Sequence, residues 1–175
     1  MSPKHIFAII VVVIIGYLAL DSAFIVDERE RVVVVQLGEI VGQNYEPGLH
    51  FKKPIVQSVH SFDRRVMTFT EEIERVLTSE NKNLAVDFYV KWRINDTVDY
   101  YLSTQGQEQR TRDLLTEIVE NDLLAEFSKR TIRQAVGDDR NEIVAAVQVQ
   151  ANQDAKQLGV EIEDVRIMRL DLPEE

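Results

Sequence analysis

An apolar run near the N-terminus constrains this chain more than any other feature. Residues 6–26 read IFAIIVVVIIGYLALDSAFIV and contain one charged side chain, that of Asp21. At the α-helical rise these residues extend over about 31 Å, which matches the hydrocarbon thickness of a bilayer. We therefore predict a transmembrane anchor over residues 6–26, whose apolar side chains include Ile6, Ile10, Ile14, Leu18, Phe24 and Val26.

Two alternatives to an anchor remain open for this run. A cleaved signal peptide needs a basic start and small residues at a cleavage site, and only Lys4, Ala19 and Ala23 supply such features. A buried helix of a soluble protein is the second alternative. The flanking basic residues, Lys4 before the run and Arg29 with Arg31 after it, give little preference for orientation. The short N-terminal tail favours a cytoplasmic N-terminus, with the body on the opposite side of the membrane.

Composition excludes several classes of function. The 175-residue chain has a net charge of −10, so it lacks the excess of Lys and Arg that phosphate contacts require, and we expect no nucleic-acid partner. It contains no cysteine, which excludes disulfides, thiolate zinc sites and cysteine nucleophiles. The length suits one compact domain or two small ones.

The hydrophobic pattern after residue 26 predicts an α+β fold that begins with strands. Residues 32–37, VVVVQL, form a β-branched run typical of a buried strand. Pro47 followed by Gly48 predicts a type II turn. Apolar and polar side chains alternate without a miss over residues 84–94, which predicts a strand with one packed face.

Two amphipathic helices and a closing strand are predicted to complete the fold. The first helix is predicted over residues 112–136, with Leu114 and Ile118 in an apolar stripe that Leu115, Val119 and Leu123 widen. The second begins after a predicted capping box formed by Asp139 and Glu142. The closing strand is predicted over residues 160–172, and a shift in its apolar phase after Ile162 predicts a bulge.

No arrangement of side chains in this sequence predicts catalysis. Ser58, His60 and Asp63 are close in sequence, but alternate strand positions put the first two on one face and the third on the other. A membrane-tethered serine hydrolase, built on Ser58 or Ser61 with His60, is the enzymatic alternative. His50 and His60 lack the spacing of a metal-binding pair, so we predict no metal and no cofactor.

Four segments together resemble a known family. IVDERERVVVVQLGEIV is followed by YEPGLHFKKP, then by VLTSENKNLAVDFYVKWRINDTVDYYL, and finally by LGVEIEDVRIMRLDLPEE. This order is similar to that of the SPFH (stomatin–prohibitin–flotillin–HflK/C), or band 7, family. The short N-terminal tail and the KWRIND and DVRIMRLDLP segments most resemble the HflC branch. We expect structural roles for the motif positions Gly38, Pro47, Gly48, Trp92, Asp164 and Pro173.

The resemblance implies an organisation and a location. Residues 1–26 would be the tail and anchor, residues 27–95 a strand-rich first SPFH subdomain, and residues 96–175 an α/β second subdomain. The relatives continue into a long helical region that this sequence does not contain. The protein would cross the bacterial inner membrane once, with a cytoplasmic N-terminus and a periplasmic body.

The resemblance also implies a function without catalytic residues. The chain would assemble with an HflK-like subunit and with copies of itself into a large ring or cage in contact with membrane lipid. That assembly would surround an FtsH-type AAA protease and restrain its access to substrates. A stomatin-like membrane-microdomain scaffold is the alternative within the same family.

Overall fold

The computed structural model of the protein describes residues 3–137 and 139–171. The chain divides into two compact units, one ending at Asp63 and the other starting at Arg64. Pro173, one of the predicted motif positions, lies outside the described residues.

Two small antiparallel sheets organise the first unit. Over residues 3–63 the elements are α1 (Pro3–Asp21), β1 (Ala23–Val26), β2 (Glu30–Gln36), β3 (Glu39–Gln43), β4 (Gly48–Phe51) and β5 (Gln57–Asp63). Strands β1 and β4 pair with each other, and β2 lies between β3 and β5. The four consecutive valines of β2 are all buried, so the strand predicted over residues 32–37 is confirmed as β2, except that Leu37 lies beyond its end and is exposed.

Helix α1 ends before the predicted anchor does. It ends at Asp21, and Phe24 and Val26, which the sequence assigned to the anchor, lie instead in β1. Val26 is 2% exposed and packs with Val32 and Val34 in the core of this unit. Four of the predicted anchor residues remain in the helix: Ile6, Ile10, Ile14 and Leu18. None of the helices in the described part of the chain has both the length and the apolar character needed to cross a bilayer.

The chain enters β4 through a bend and not through the predicted type II turn. Gly48 is the first residue of β4 and has a φ of +136°, whereas position i+2 of a type II turn has a φ near +80°. The carbonyl oxygen of Glu46 lies 2.6 Å from His50 Nε2. The turn prediction is therefore wrong, although the positive φ explains why glycine follows Pro47.

A three-stranded antiparallel sheet and several helices form the second unit. Its elements in the described range from residue 64 are β6 (Met67–Leu77), β7 (Asn83–Ile94), α2 (Thr97–Thr104), α3 (Glu108–Phe127), α4 (Ile132–Val136), α5 (Arg140–Ala155), a 3₁₀ turn (Lys156–Leu158) and β8 (Val160–Asp171). Strand β7 lies between β6 and β8. Its predicted alternation is confirmed, and Trp92 is buried on its packed face. The compact units divide after Asp63, and the SPFH subdomain border predicted after residue 95 stays a prediction.

The helix predicted over residues 112–136 is interrupted. Helix α3 ends at Phe127, and α4 begins after Thr131, whose side chain forms a capping box with Gln134. The predicted stripe is confirmed for Leu115, Val119 and Leu123, which are buried, whereas Leu114 and Ile118 are half-buried. The buried residues of α3 are Thr111, Leu115, Val119, Leu123 and Phe127.

The connections on either side of α5 follow one prediction and contradict another. Asp139 makes no side-chain cap hydrogen bond, so the capping box with Glu142 is wrong. Both carboxylates lie instead beside Arg130 Nη1, at 3.4 and 3.5 Å. The predicted bulge in β8 is confirmed, because the register with β7 skips one residue between Ile162 and Asp164.

The N-cap of α2 gives a prediction about stability. A carboxylate oxygen of Asp96 accepts hydrogen bonds from the Val98 and Asp99 amides, at 2.8 and 3.1 Å. Asp96→Ala is expected to lower the free energy of unfolding by about 1 kcal/mol, measured by urea denaturation. Gln107 occupies the N-cap of α3 without a side-chain cap bond, so Gln107→Ala is the matched control. Equal losses in the two variants would contradict this role for Asp96.

Candidate functional site

The candidate catalytic residues on β5 do not form a triad. In register, Ser58 pairs with Val35 and His60 with Val33 on β2. The two-residue repeat of the strand puts Ser58 and His60 on one face and Asp63 on the other. The geometry that the serine hydrolase alternative requires is therefore not assembled along this strand.

The histidine of β4 belongs to an aromatic cluster. The ring centroids of Phe24 and Tyr45 are 5.6 Å apart, and those of Tyr45 and His50 are 5.0 Å apart. No group of three or more His, Asp or Glu side chains in the described residues is arranged to hold a metal ion. His50 therefore packs the inner side of the β1–β4 sheet.

The other side of the β1–β4 sheet exposes apolar side chains to solvent. Ile25 on β1 lies directly opposite Leu49 on β4, and Ala23 lies opposite Phe51. Ile25, Leu49 and Phe51 are 77%, 60% and 72% exposed. We call these four residues the outer face of the β1–β4 sheet. Large exposed apolar patches on a folded domain mark binding surfaces for proteins or membranes.

Two further apolar side chains project from strained loops of the same unit. Leu37 is 86% exposed with a φ of +52°, and Ile55 is 87% exposed with a φ of +69°. Gln36 directly precedes Leu37, and Gln57 follows Ile55 closely. Gln36 of β2 pairs with Gln57 of β5, so both loops emerge at the same end of that sheet. Positive φ is rare for large and especially β-branched residues. Strain and exposure together indicate that these loops serve an interaction.

Asp21, the one charged residue of the apolar run, has a partner in the fold. Its carboxylate lies 3.4 Å from Lys52 Nζ, and the Lys52 amide donates a 2.7 Å hydrogen bond to the Ser22 carbonyl. These contacts tie the end of α1 to the segment that leaves β4. Phe51, on the outer face of the β1–β4 sheet, is therefore held beside the end of α1.

A second surface with unusual electrostatics lies along α3 and α5 in the other unit. Burial raises the pKa of Asp122, and the carboxylates of Asp154 and Glu126 raise it further. Asp122 Oδ2 is buried and accepts no hydrogen bond from the described residues. On another side of α3, burial also raises the pKa of Glu120, with added repulsion from Glu71 of β6 and from Glu117. This surface carries more negative charge than its own side chains neutralise.

This excess charge predicts how stability depends on pH. A carboxyl whose pKa is raised by folding destabilises the protein when ionised, so its cost is present at neutral pH and absent below about pH 4. Asp122→Asn is therefore expected to raise the free energy of unfolding at pH 7. One unit of pKa shift corresponds to ~1.4 kcal/mol. Because the Asp122 side chain is partly exposed, the gain in the free energy of unfolding is expected to be a fraction of that value.

The measurement compares urea unfolding of the wild type and Asp122→Asn between pH 4 and pH 8. Asp113→Asn is the control, because Asp113 is exposed on the same helix. The advantage of Asp122→Asn is expected to shrink as the pH falls, whereas Asp113→Asn is expected to show no such trend. A loss of stability at pH 7 in Asp122→Asn would contradict this account.

The predicted motif positions are distributed over both units and do not converge on one site. Gly38 follows Leu37 in the two-residue turn between β2 and β3, and both have positive φ, as a type I′ turn requires. Asp164 lies on the polar face of β8, where it accepts a 3.4 Å hydrogen bond from the Tyr89 hydroxyl. Trp92 lies in the core of the second unit.

These features define a class of protein: an α+β body with exposed apolar surfaces and no assembled reactive centre among its described residues. The model of the SPFH domain / Band 7 family matches residues 24–175. The chain belongs to the SPFH/Band 7 family.

Similar proteins in this family carry the name HflC. The chain is 34% identical to "Protein HflC" of Vibrio parahaemolyticus over 94% of this chain and 62% of that protein. It is 33% identical to "Protein HflC" of Haemophilus influenzae over 97% of this chain and 61% of that protein. It is 34% identical to "Modulator of FtsH protease HflC" of Escherichia coli K12 over 84% of this chain and 45% of that protein. The chain thus spans less than two thirds of the length of these relatives.

The apolar surface of the first unit was not predicted from the sequence. The run that contains Ile25 is apolar throughout, so composition alone does not separate the end of α1 from the start of β1. Leu37 precedes a glycine and Ile55 follows a proline, and their exposure depends on a backbone conformation that the sequence does not display. The Lys-Lys-Pro sequence before Ile55 is the one local signal of an exposed loop.

Proposed function

We propose that this chain is a non-catalytic scaffold subunit of the bacterial inner membrane that regulates an FtsH-type AAA protease. The observation that carries the proposal is the outer face of the β1–β4 sheet, which follows α1 directly and exposes Ile25, Leu49 and Phe51. Exposed apolar faces of this kind mark binding surfaces for proteins or membranes, and this one lies beside the end of the apolar helix α1. The name "Modulator of FtsH protease HflC", carried by the relative from Escherichia coli, supports the regulatory part.

The proposed membrane attachment has two components. The apolar run of residues 6–26, predicted from the sequence as an anchor, would cross the membrane once, with the N-terminus in the cytoplasm and the body in the periplasm, although the helix that the structure shows there ends at Asp21. The outer face of the β1–β4 sheet and the loop tips at Leu37 and Ile55 then rest on the lipid. The ion pair between Asp21 and Lys52 supports this arrangement, because it joins the end of α1 to β4.

The proposed assembly combines copies of this chain with an HflK-like subunit in a large ring or cage. Regulation would then be steric: a closed wall of scaffold subunits restricts which membrane substrates reach the protease. This mechanism requires no reactive side chain, which agrees with the separation of Ser58 and His60 from Asp63 along β5.

Co-purification tests the function. The full-length chain, expressed at native level with a C-terminal tag and extracted in mild detergent, is expected to carry an FtsH-type protease and an HflK-type subunit in one large complex. A variant with Leu37, Ile55 and Phe51 replaced by Asn is the matched control for nonspecific apolar capture. A monodisperse chain that carries neither protein would overturn the proposal.

A topology measurement separates the proposal from the stomatin-like alternative. The body is expected to resist a protease added to intact inverted inner-membrane vesicles and to be digested after detergent is added. Digestion in intact inverted vesicles would place the body in the cytoplasm, as the stomatin-like alternative requires.

A further inference from the structure

Strand β8 is an edge strand with one open side. In the three-stranded sheet of the second unit it pairs with β7 alone among the described strands. The register with β7 skips Glu163 and again Met168, so residues 164–167 form a regular stretch between two bulges. An open edge of this kind presents backbone N–H and C=O groups that another extended chain can bind.

Side chains of α5 occupy the two ends of this edge and leave its middle open. Arg140 donates a hydrogen bond to the Ile167 carbonyl, and Gln148 Nε2 donates one of 2.6 Å to the Glu163 carbonyl. The Ile167 carbonyl therefore points away from β7, and in an antiparallel ladder the N–H and C=O groups of Val165 point the same way. Neither of these Val165 groups bonds to another part of the described chain. One backbone donor and one acceptor thus remain available at the centre of the edge.

A groove runs along this open edge, between α5 and β8. It has a volume of about 450 Å³, and we call it the edge groove; its lining includes Arg140, Val144, Ala145, Gln148, Arg166 and Ile167. Val144 is half-buried and Ile167 is buried, so the floor of the groove is apolar. The short side chain of Ala145 leaves room for a backbone beside α5. This volume lies in the range of about 300–1,000 Å³ that is usual for sites binding small ligands.

The edge groove contains a cation that the fold leaves without a carboxylate. The acidic side chains of β8 all have basic partners: Glu161 and Glu163 lie beside Arg93, Asp164 beside Arg166, and Asp171 beside Arg169. Arg140 forms no ion pair with any residue that the structure describes. A carboxylate is the group that a guanidinium binds most strongly, through charge-assisted hydrogen bonds. The charge of the groove therefore favours an occupant that brings a carboxylate.

We propose that the edge groove binds an extended peptide segment of a partner protein, which adds to β8 as a fourth strand and directs a carboxylate to Arg140. Main-chain hydrogen bonds to Val165 supply affinity, and the pocket for an acidic residue supplies specificity. A peptide is the occupant because a lipid headgroup offers no extended backbone to pair with Val165. This site goes beyond the proposed scaffold function and does not depend on it.

Binding of defined peptides to the full-length chain tests this site. The chain is placed in phosphatidylcholine nanodiscs, and the probe is a fluorescent pool of nonapeptides, blocked at both ends, with Val-Glu-Val at the centre and mixed residues elsewhere. Fluorescence anisotropy is expected to saturate below about 1 mM, with an affinity at least about fivefold higher than that of a matched Val-Gln-Val pool. A Val-Gln-Val pool with a free C-terminus shows whether a terminal carboxylate serves instead. If neither carboxylate source gives saturable binding, the proposal is wrong.

A substitution in the groove separates recognition of the carboxylate from a structural effect. Arg140→Gln is expected to weaken binding of the Val-Glu-Val pool by about tenfold and of the Val-Gln-Val pool by less than about twofold. Arg133→Gln is the matched control, because Arg133 is exposed on α4 and does not line the groove. Circular dichroism confirms folding of both variants. Equal weakening of the two pools by Arg140→Gln would overturn the assignment of Arg140.

N-methylated peptides test the addition of a strand. In an added strand every second N–H of the peptide points to β8, so the two alternating sets of N–H groups are not equivalent. Methylation of one set is expected to weaken binding by at least about tenfold, whereas methylation of the other set is expected to change it by less than about threefold. Equal effects of the two sets would show that the peptide does not pair with β8, and the proposal would be wrong.

The remaining outcomes identify other occupants of the edge groove. If soluble short-chain phosphatidylglycerol binds in an Arg140-dependent manner and the peptide pools do not, the groove holds a lipid headgroup and the proposal falls. If the pools bind only after the assembly is dissociated into single chains, another subunit fills the groove, and the assignment to a partner peptide is wrong. The assay requires neither the protease nor an HflK-like subunit, so its result leaves the proposed function to its own test.

Discussion

Gly159→Ala is expected to destabilise the second unit by about 3 kcal/mol, one of the two largest effects predicted for this chain. Gly159 has a φ of +73°, which costs an L-residue about 1 kcal/mol. A Cβ at this position would also overlap the Tyr100 amide nitrogen and the Asp96 carbonyl oxygen, and would lie 2.9 Å from the Asp99 carbonyl carbon. These are backbone atoms of α2 and its N-cap, so they cannot rotate away, and overpacking of this kind costs roughly 1–3 kcal/mol.

The close approach at Gly159 joins three elements of the unit. Its carbonyl accepts hydrogen bonds from the Asn95 and Asp96 amides, at 3.0 and 2.9 Å. The end of β7, the start of α2 and the start of β8 therefore meet at one backbone position. Movement of β8 to make room for a methyl group would disturb its pairing with β7.

Gly38→Ala is the matched control for this prediction. Gly38 has a φ of +90°, but no atom lies within 4 Å of a Cβ built there, so only the conformational cost of about 1 kcal/mol is expected. Fluorescence of Trp92, the single tryptophan, follows urea unfolding of the second unit, and circular dichroism follows the whole chain. Equal losses for the two variants would show that backbone conformation, and not the contact with α2, determines the cost.

The parts of the fold that the sequence predicts correctly depend on local repetition. In β7 every second side chain is buried, so the two-residue repeat alone identifies the strand and its packed face. The bulge in β8 is visible as a break in the same repeat near Ile162.

The predictions that fail concern features that depend on contacts between distant residues, or on signals other than the hydrophobic repeat. Ile132 and Val136 keep the helical spacing of the apolar residues in α3, so this spacing does not reveal the break between α3 and α4. Thr131 and Gln134 do have the residue types and spacing of a capping box. Residues 23–26 form a strand because β4 pairs with them, which an apolar run cannot reveal. The sequence does not explain why Asp21 stands in the apolar run, because its ion-pair partner Lys52 is distant in the chain.

The candidate surfaces were predicted less well than the fold, for a related reason. The absence of a triad on β5 follows from strand alternation, which is local. The outer face of the β1–β4 sheet and the acidic surface along α3 and α5 arise from elements that meet only in the folded chain. Charge composition indicated an acidic protein, but it did not reveal that Asp122 and Asp154 lie together without a basic partner.

The proposed membrane contact predicts strong protection of position 51. In Phe51→Cys the thiol is expected to lie in or against lipid, where a water-soluble maleimide is scarce and thiolate formation is disfavoured. Labelling in intact spheroplasts, which expose the periplasmic side, is expected to be at least about tenfold slower than after solubilisation in detergent. Burying the side chains of Ile25, Leu49 and Phe51 supplies roughly 1.5–3 kcal/mol each, so even partial contact holds the face on the bilayer.

Two controls separate lipid contact from other causes of protection. Glu74→Cys, exposed on β6, is expected to react at the same rate before and after solubilisation. Replacing Ile25 and Leu49 by Asn in the Phe51→Cys chain removes most of the apolar face and is expected to abolish the protection. If protection persists in that triple variant, a protein partner and not lipid covers position 51, because apolar partitioning would be lost while a specific contact could remain. Rapid labelling of Phe51→Cys in intact spheroplasts would show that the face stays in water, and the proposed membrane contact would be wrong.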